Sequence, residues 1–289
     1  LRSHLLDNLL VVGMGLMGGS ILKAAREAGV AKMRLGVDRD PDTVRKSLAM
    51  GIIHEGFTQV QNPPPGRTLV ILATHLDAFR GLVGELLPHL SDNTVVTDVG
   101  SVKEAVVQEL TPLLATRGLP FVGGHPIAGT EKSGVENSIK DLFVGARVIL
   151  TPTPETSQEA LELVRRFWQS LGARVEEMDP HHHDTVFAAV SHLPHAVTYA
   201  LVKTIGDAEK ELGDLLRYSG GGFKDFTRIA ASNPWMWREI FRLNRDQVLA
   251  FLHRFHATLE EMEKLLEEED WDTLEAIMEK ARWLRRGLD

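Results

Sequence analysis

The sequence predicts an α/β half followed by an all-α half, and three observations predict it. Short apolar runs alternate with helical periodicity as far as residue 179, the pattern of repeated βα units. The first run ends in the glycine turn Gly13-Met14-Gly15-Leu16-Met17-Gly18-Gly19, of the kind that joins a strand to a helix. Beyond residue 179 no comparable strand run occurs, and apolar residues recur at spacings of three and four. The expected architecture is therefore an α/β Rossmann-type nucleotide-binding domain over 1–179 and an all-α C-terminal domain over 180–289.

Composition narrows the function classes. A length of 289 residues leaves room for about two domains, and 43% apolar residues place the chain among globular proteins. The absence of cysteine excludes disulfides, thiolate metal sites and a cysteine nucleophile, and makes a cytoplasmic location the default. A formal charge of -8 argues against nucleic acid or an anionic membrane as partner. No uninterrupted apolar run nears the roughly 20 residues that span a bilayer. Residues 1–12 carry Asp7 and lead straight into a strand, so no secretory leader is expected. An anionic small substrate stays compatible, because local clusters of His, Lys and Arg can sit within an acidic surface.

Residues 8–12 form the first predicted strand and 20–28 the first helix. Between them, Gly13 permits the turn, Gly15 lets a pyrophosphate approach the backbone, and Gly18 lets helix and strand pack closely. Amides at Leu16 and Met17 then face phosphate charge at a helix start. A second strand, 33–37, ends at Asp38, twenty residues after Gly18. A carboxylate there accepts hydrogen bonds from the adenosine ribose and repels a 2'-phosphate, so NAD is the expected cofactor. Arg39 leaves some tolerance of NADP open.

A helix at 41–50, an irregular stretch containing Pro63-Pro64-Pro65-Gly66, and a strand at 69–73 follow. Thr74 and His75 stand past that strand, where open α/β sheets place their ligands. A helix at 77–87 and a strand at 94–97 lead to Asp98-Val99-Gly100-Ser101-Val102-Lys103. Ser101 has two readings. It is either a helix N-cap or, if strands 94–97 and 120–122 are adjacent, a hydroxyl sharing a crevice with His125. His125 itself is expected in a glycine-rich loop at a strand end, a place that suits a general base. Strands at 146–150 and 173–178, around a helix at 156–171, complete this half.

The helical half opens with a helix over 184–205 carrying Ser191-His192-Leu193-Pro194-His195, where Pro194 is expected to kink or interrupt it. His192 and His195 share a face, yet neither H-E-x-x-H nor an acidic third ligand stands nearby, so no metal is expected. A packed helix with one of the two hydrogen-bonded inside is the plainer alternative. After Gly220-Gly221-Gly222 come Lys224 and Arg228, four apart. They read as an anion pocket or as surface cations beside a flexible linker. Asn233-Pro234 caps the next helix, whose Trp235 and Trp237 point in different directions. Phe251, Phe255, Leu259, Met262 and Leu266 form a stripe read as core, and faces of this kind also suit a homodimer.

Taken together, the glycine turn, the 98–103 segment, Gly124-His125-Pro126-Ile127-Ala128-Gly129-Thr130-Glu131, Ser191-His192-Leu193-Pro194-His195 and Gly222-Phe223-Lys224-Asp225-Phe226-Thr227-Arg228 resemble the prephenate/arogenate dehydrogenase family of tyrosine biosynthesis. The match spans nearly the whole chain in the expected order. The resemblance implies oxidative decarboxylation of prephenate to 4-hydroxyphenylpyruvate with reduction of NAD, while the homodimer through the helical domain is expected from the apolar faces noted above. It makes His125 the base at the ring hydroxyl, with Ser101 assisting. It gives Arg228 the ring carboxylate, His195 and Lys224 the pyruvyl side chain, Glu131 and Asp225 the pocket entrance, and Trp237 a place beside the substrate. His195 and Lys224 as donors to a keto acid favour prephenate over arogenate. Neither a fused chorismate mutase segment nor a C-terminal regulatory domain is expected to have room here, so any feedback by tyrosine would act at or near the active site. A β-hydroxyacid dehydrogenase and a non-catalytic NAD-sensing protein are the rival readings. The first relies on a catalytic lysine in the helical domain, and the second leaves His125, Ser101 and Arg228 without a shared ligand.

Overall fold

Apolar runs with no polar face are stable only when covered on both sides, and the first strands of this chain are such runs. In the computed structural model, which describes residues 4–130 and 132–288, β1 (Leu6–Val12) lies inside an eight-stranded sheet, third from one edge. Its Leu9 and Val11 face one apolar layer, and Leu10 and Val12 face the other. In β4 (Thr68–Leu72), Leu69 and Ile71 join the first layer while Val70 and Leu72 join the second. Burial of each such side chain contributes about 1.5–3 kcal/mol, which fixes the strand registers.

The sheet runs β3-β2-β1-β4-β5-β6-β7-β8. Here β2 is Ala31–Val37, β3 Glu55–Phe57, β5 Thr94–Asp98, β6 Phe121–Pro126, β7 Arg147–Thr151 and β8 Arg174–Glu177. All pairings are parallel except β6 with β7. The order reverses between β1 and β4, the switch point where doubly wound sheets bind ligands beyond the strand ends. Helices α1 (Leu16–Ala28) and α5 (Gln158–Ser170) cover one face, and α3 (Phe79–Leu86) and α4 (Glu104–Ala115) the other. Between α1 and α3 in sequence, α2 (Pro41–Ala49) is capped by Asp40, whose carboxylate accepts from the Asp42 and Thr43 amides. Strand β3 lies inside the stretch read as irregular, because three residues are too few to show a period.

The last strand ends at Glu177, and everything after it is helical. Helix α6 (Pro180–Phe187), a π-helical turn (Ala188–His192) and α7 (Leu193–Leu212) run on as one rod. The interruption expected at Pro194 takes the form of that wider π-helical turn just before it, and the rod continues beyond. This rod of 33 residues is long and apolar enough, by length and composition, to cross a membrane, although only 17% of its apolar window is buried. A search for uninterrupted apolar runs misses it, since polar residues punctuate the window. Short α8 (Gly221–Thr227), then α9 (Pro234–Leu243), α10 (Arg245–Glu267) and α11 (Trp271–Arg286), complete the domain. Asn233 caps α9 as expected, its side chain accepting from the Trp235 amide.

The α10 stripe is not core within one chain. Leu259 and Leu266 are exposed, and Phe251, Phe255 and Met262 are only half-buried. Trp271, Met278 and Trp283 of α11 are exposed as well.

Candidate active site

The nucleotide end of the site is built by close approach. Gly13 adopts φ +92°, and a Cβ there would lie 2.6 Å from the Thr74 methyl and 2.7 Å from the Ala73 carbonyl oxygen. A Cβ on Gly18 would sit 1.9 Å from the Gly13 carbonyl oxygen, so that glycine is what lets α1 rest on the turn. Gly15 differs: nothing lies within 4 Å of where its Cβ would be. Its bare face opens beside Leu16 and Met17 at the start of α1, four residues before the predicted helix start, and no side chain caps the helix there. Uncapped amides beside an open glycine fit a pyrophosphate. Asp38 closes this end, accepting from the Met14 amide at 2.8 Å and the Asp40 amide at 3.0 Å, while Arg39 beside it is exposed. These residues fit a dinucleotide.

His125 lies within β6, not in a loop, and is 9% exposed. The glycines before it serve strand packing. A Cβ on Gly123 would meet the Thr151 hydroxyl at 2.3 Å, and one on Gly124 would meet the Asp98 carbonyl oxygen at 2.7 Å. Strands β5 and β6 are neighbours, Val96 pairing with Phe121 and Thr97 with Val122, which meets the condition set for Ser101 and His125 to share a crevice. A buried lysine ties the two strand ends together. The Lys103 ammonium donates to the Asp98 carboxylate and to the Gly124 carbonyl oxygen, while Asp98 accepts from the Gly100 and Gly124 amides. Burial draws the Lys103 pKa down, against the pull of Asp98.

Ser101 is not the cap of α4, which begins at Glu104. That end is capped from the other domain. Asp184 of α6 accepts from the Lys103 amide at 2.8 Å and the Glu104 amide at 2.9 Å. Asp184 also takes a 2.8 Å contact from His183 Nδ1, and His183 Nε2 lies 2.8 Å from His125 Nδ1. Phe187 packs on both imidazoles, its ring centroid 4.7 Å from that of His125 and 4.4 Å from that of His183. Burial, then the charges of His183, Lys103 and His192, hold the His125 pKa well below the ordinary value. Burial and those charges favour the neutral ring, the form that has a lone pair to accept a proton.

The helical half contributes the other wall. His192 is buried, its pKa pushed down to about 4 by burial, and its Nδ1 accepts from the Asn244 amide group at 3.1 Å. It is the packed member of the pair. His195 is half-buried and stacks on Trp237 with ring centroids 3.5 Å apart. Its Nδ1 donates to the Ser191 carbonyl oxygen at 2.9 Å, so the neutral ring presents Nε2 as an acceptor. Burial lowers its pKa against the pull of the hydrogen bond to Ser191, and the charge of Arg228 lowers it further. Trp237 packs on Val102, the residue after Ser101. Its indole N–H is buried with no hydrogen-bond partner among the described residues.

These contacts run from the β5 end through Val102 and Trp237 to His195. Lys224 and Asp225 are exposed on α8, one turn before Arg228, and Gly220, Gly221 and Gly222 have open space where side chains would be. The triple glycine therefore begins a helix and is no linker. Glu131 lies outside the described residues. His183, Asp184, Asn244 and Phe187 were missed by sequence reasoning. The only signal was the run His181-His182-His183-Asp184 just after the last strand, which resembles an ordinary polar helix start.

Fold and site together define a two-domain dehydrogenase of the dinucleotide-dependent kind. The model of the prephenate dehydrogenase nucleotide-binding domain matches residues 21–177, that of the prephenate dehydrogenase dimerisation domain matches residues 179–280, and the chain belongs to this family. The prephenate dehydrogenase of Bacillus subtilis is 35% identical over 286 residues, 98% of this chain and 76% of that protein. A crystal structure of A. aeolicus prephenate dehydrogenase in complex with hydroxyphenyl propionate and NAD+ is 42% identical, with a TM-score of 0.92 over 100% of this chain and 99% of that one. Synechocystis arogenate dehydrogenase is 29% identical, with a TM-score of 0.82 over 98% of this chain and 100% of that one.

Proposed function

We propose that the chain is a prephenate dehydrogenase, an oxidoreductase that converts prephenate to 4-hydroxyphenylpyruvate with NAD in tyrosine biosynthesis. The observation that carries this reading is likeness over the whole chain to an enzyme held with NAD+ and hydroxyphenyl propionate. NAD, when bound, supplies the hydride acceptor. Gly13, Gly15, Gly18, Leu16 and Met17 cradle its pyrophosphate, with Asp38 and Arg39 at the ribose and Thr74 at the turn.

His125 takes the proton of the ring hydroxyl as hydride leaves the carbon that bears it, and Ser101 orients that hydroxyl. Loss of carbon dioxide then aromatises the ring and makes the step effectively irreversible. Arg228 holds the ring carboxylate. Lys224 and His195 meet the side chain, Trp237 lies beside the substrate, and Glu131 and Asp225 stand at the pocket entrance. The burial of His125, which favours its neutral form, supports the base role, and the influence of the Arg228 charge on His195 supports a shared anion pocket.

One observation favours arogenate as an additional substrate. With its Nδ1 proton committed to the Ser191 carbonyl, neutral His195 offers an acceptor, which suits an ammonium better than a keto oxygen. The first reading of His195 as a donor to a keto acid holds only for the protonated ring, and Lys224 is left as the donor. Mixing protein and NAD with prephenate, arogenate or a β-hydroxyacid and following NADH by its near-ultraviolet absorbance tests both readings. Turnover of prephenate is expected, and turnover of the β-hydroxyacid alone would refute the assignment.

A homodimer formed through the helical domain is supported by the dimerisation-domain match and the exposed apolar stripe on α10. A division into 1–179 and 180–289 is supported by the end of β8 at Glu177. A cytoplasmic location suits an NAD-dependent biosynthetic enzyme.

A further inference from the structure

The hydrogen bonds behind His125 fix more than its position. Backbone amides can only donate, so the Lys103 and Glu104 amides aimed at Asp184 make both of its carboxylate oxygens acceptors. His183 Nδ1, 2.8 Å from Asp184 Oδ1, must then carry a proton and donate it. The neutral His183 ring is left with a lone pair on Nε2, and 2.8 Å away the His125 Nδ1 must supply the proton of that contact. The free nitrogen of His125 is consequently Nε2.

We propose that His183 and Asp184 are positioning residues for the base: Asp184 sets the tautomer of His183, His183 sets that of His125, and Nε2 of His125 is thereby held as the atom that takes the hydroxyl proton. The proposal rests on His125 being the base, as argued above. When Nε2 takes that proton, His125 keeps its Nδ1 proton and no atom of the relay changes partner. The new positive charge is stabilised through His183 toward Asp184. The surroundings otherwise oppose it, since Lys103 from the β5–α4 connection and His192 from the rod both face the site, and the Asp98 carboxylate is already committed to Lys103. Phe187, packed on both rings, keeps water from replacing the relay. Asp184 belongs to the helical half and His125 to the nucleotide half, so the basic nitrogen is defined only when the two halves are docked.

Two substitutions of His183 separate this role from a structural one. The amide of Asn falls near the ring Nδ1 position and keeps the contact to Asp184, whereas the amide of Gln falls near Nε2 and keeps an acceptor for His125. The relay requires His183→Gln to retain more kcat than His183→Asn. The Asn variant is expected to lose about 10- to 100-fold in kcat, the scale of a misoriented catalytic group, with KM for prephenate and NAD within about threefold. The acid limb of its kcat/KM profile is expected at lower pH than in the Gln variant, because an imidazolium without an acceptor on Nδ1 loses its proton more easily. A merely structural His183, serving to hold Asp184 at the start of α4, would reverse the kcat order and leave the acid limb of both variants at the wild-type pH. Either result would overturn the proposal. His125→Asn, assayed in parallel, tells the two readings apart: near-normal turnover there removes the base itself, whereas loss of turnover there with a reversed Gln and Asn order removes only the relay.

Discussion

Three glycines in one turn do three different jobs, and single methyl groups separate them. Gly15 has extended backbone at φ -69° and empty space around its missing side chain, so an added Cβ costs the fold nothing and intrudes only where a pyrophosphate would lie. Gly15→Ala is expected to leave the melting temperature within about 2 °C of wild type, as for a substitution that disturbs no packing, while raising KM for NAD at least about tenfold. Gly18→Ala places a methyl against the Gly13 carbonyl oxygen and is expected to cost about 1–3 kcal/mol in urea unfolding. Paired melting curves and NAD titrations check both. Residues of this kind are legible in sequence, because a turn that must admit phosphate and a helix at once leaves no other choice of side chain. His125 was legible as a base but not in its setting. Gly123 and Gly124 suggest a loop, and only the contacts across to Thr151 and Asp98 show that they are strand positions where a Cβ has no room.

At the scale of elements, the Pro180–Leu212 rod carries the polar framework of the site. Asn244, at the start of α10, donates to the Asp184 carbonyl oxygen at 2.8 Å and to His192, pinning the rod where its π-helical turn lies. The pin is sensitive to acid. The folded-state pKa of His192, about 4, lies below its ordinary 6.5, so the unfolded chain binds the proton more readily between those values. The resulting stability is complete above about pH 6.5 and is lost as pH falls toward 4, amounting to about 3 kcal/mol. The melting temperature is expected to fall between pH 7 and pH 5, and to fall less in His192→Asn, which keeps an acceptor for Asn244 but does not titrate. An equal fall in both proteins would show that His192 is not a source of the acid sensitivity.

The rod was also where sequence reading was weakest. Its π-helical turn hides the proline, and its contacts to α4 and α10 join residues 60 to 81 positions apart, which no local pattern reports. The βα units, by contrast, follow from short-range periodicity, and apart from the three-residue β3 their strands were found to within a few residues.

For the whole molecule, two surfaces remain to be accounted for: the apolar faces of α10 and α11, and the junction between the halves. Leu259 is 47% exposed and Trp283 73% exposed, as expected of a face that a second copy covers. Sedimentation of the wild-type chain is expected to give a dimer, and Leu259→Lys a shift toward monomer. A wild-type monomer at micromolar concentration would remove that reading. The junction holds the central claim, that a base from the sheet and a guanidinium from the helical half serve one substrate. Steady-state kinetics with prephenate and NAD, comparing His125→Asn with Arg228→Ala, tests it most directly. The account expects the first variant to lose about 100-fold or more in kcat, as for a missing general base, and the second mainly to raise KM for prephenate. Near-normal turnover by His125→Asn, or an unchanged KM in Arg228→Ala, would contradict it.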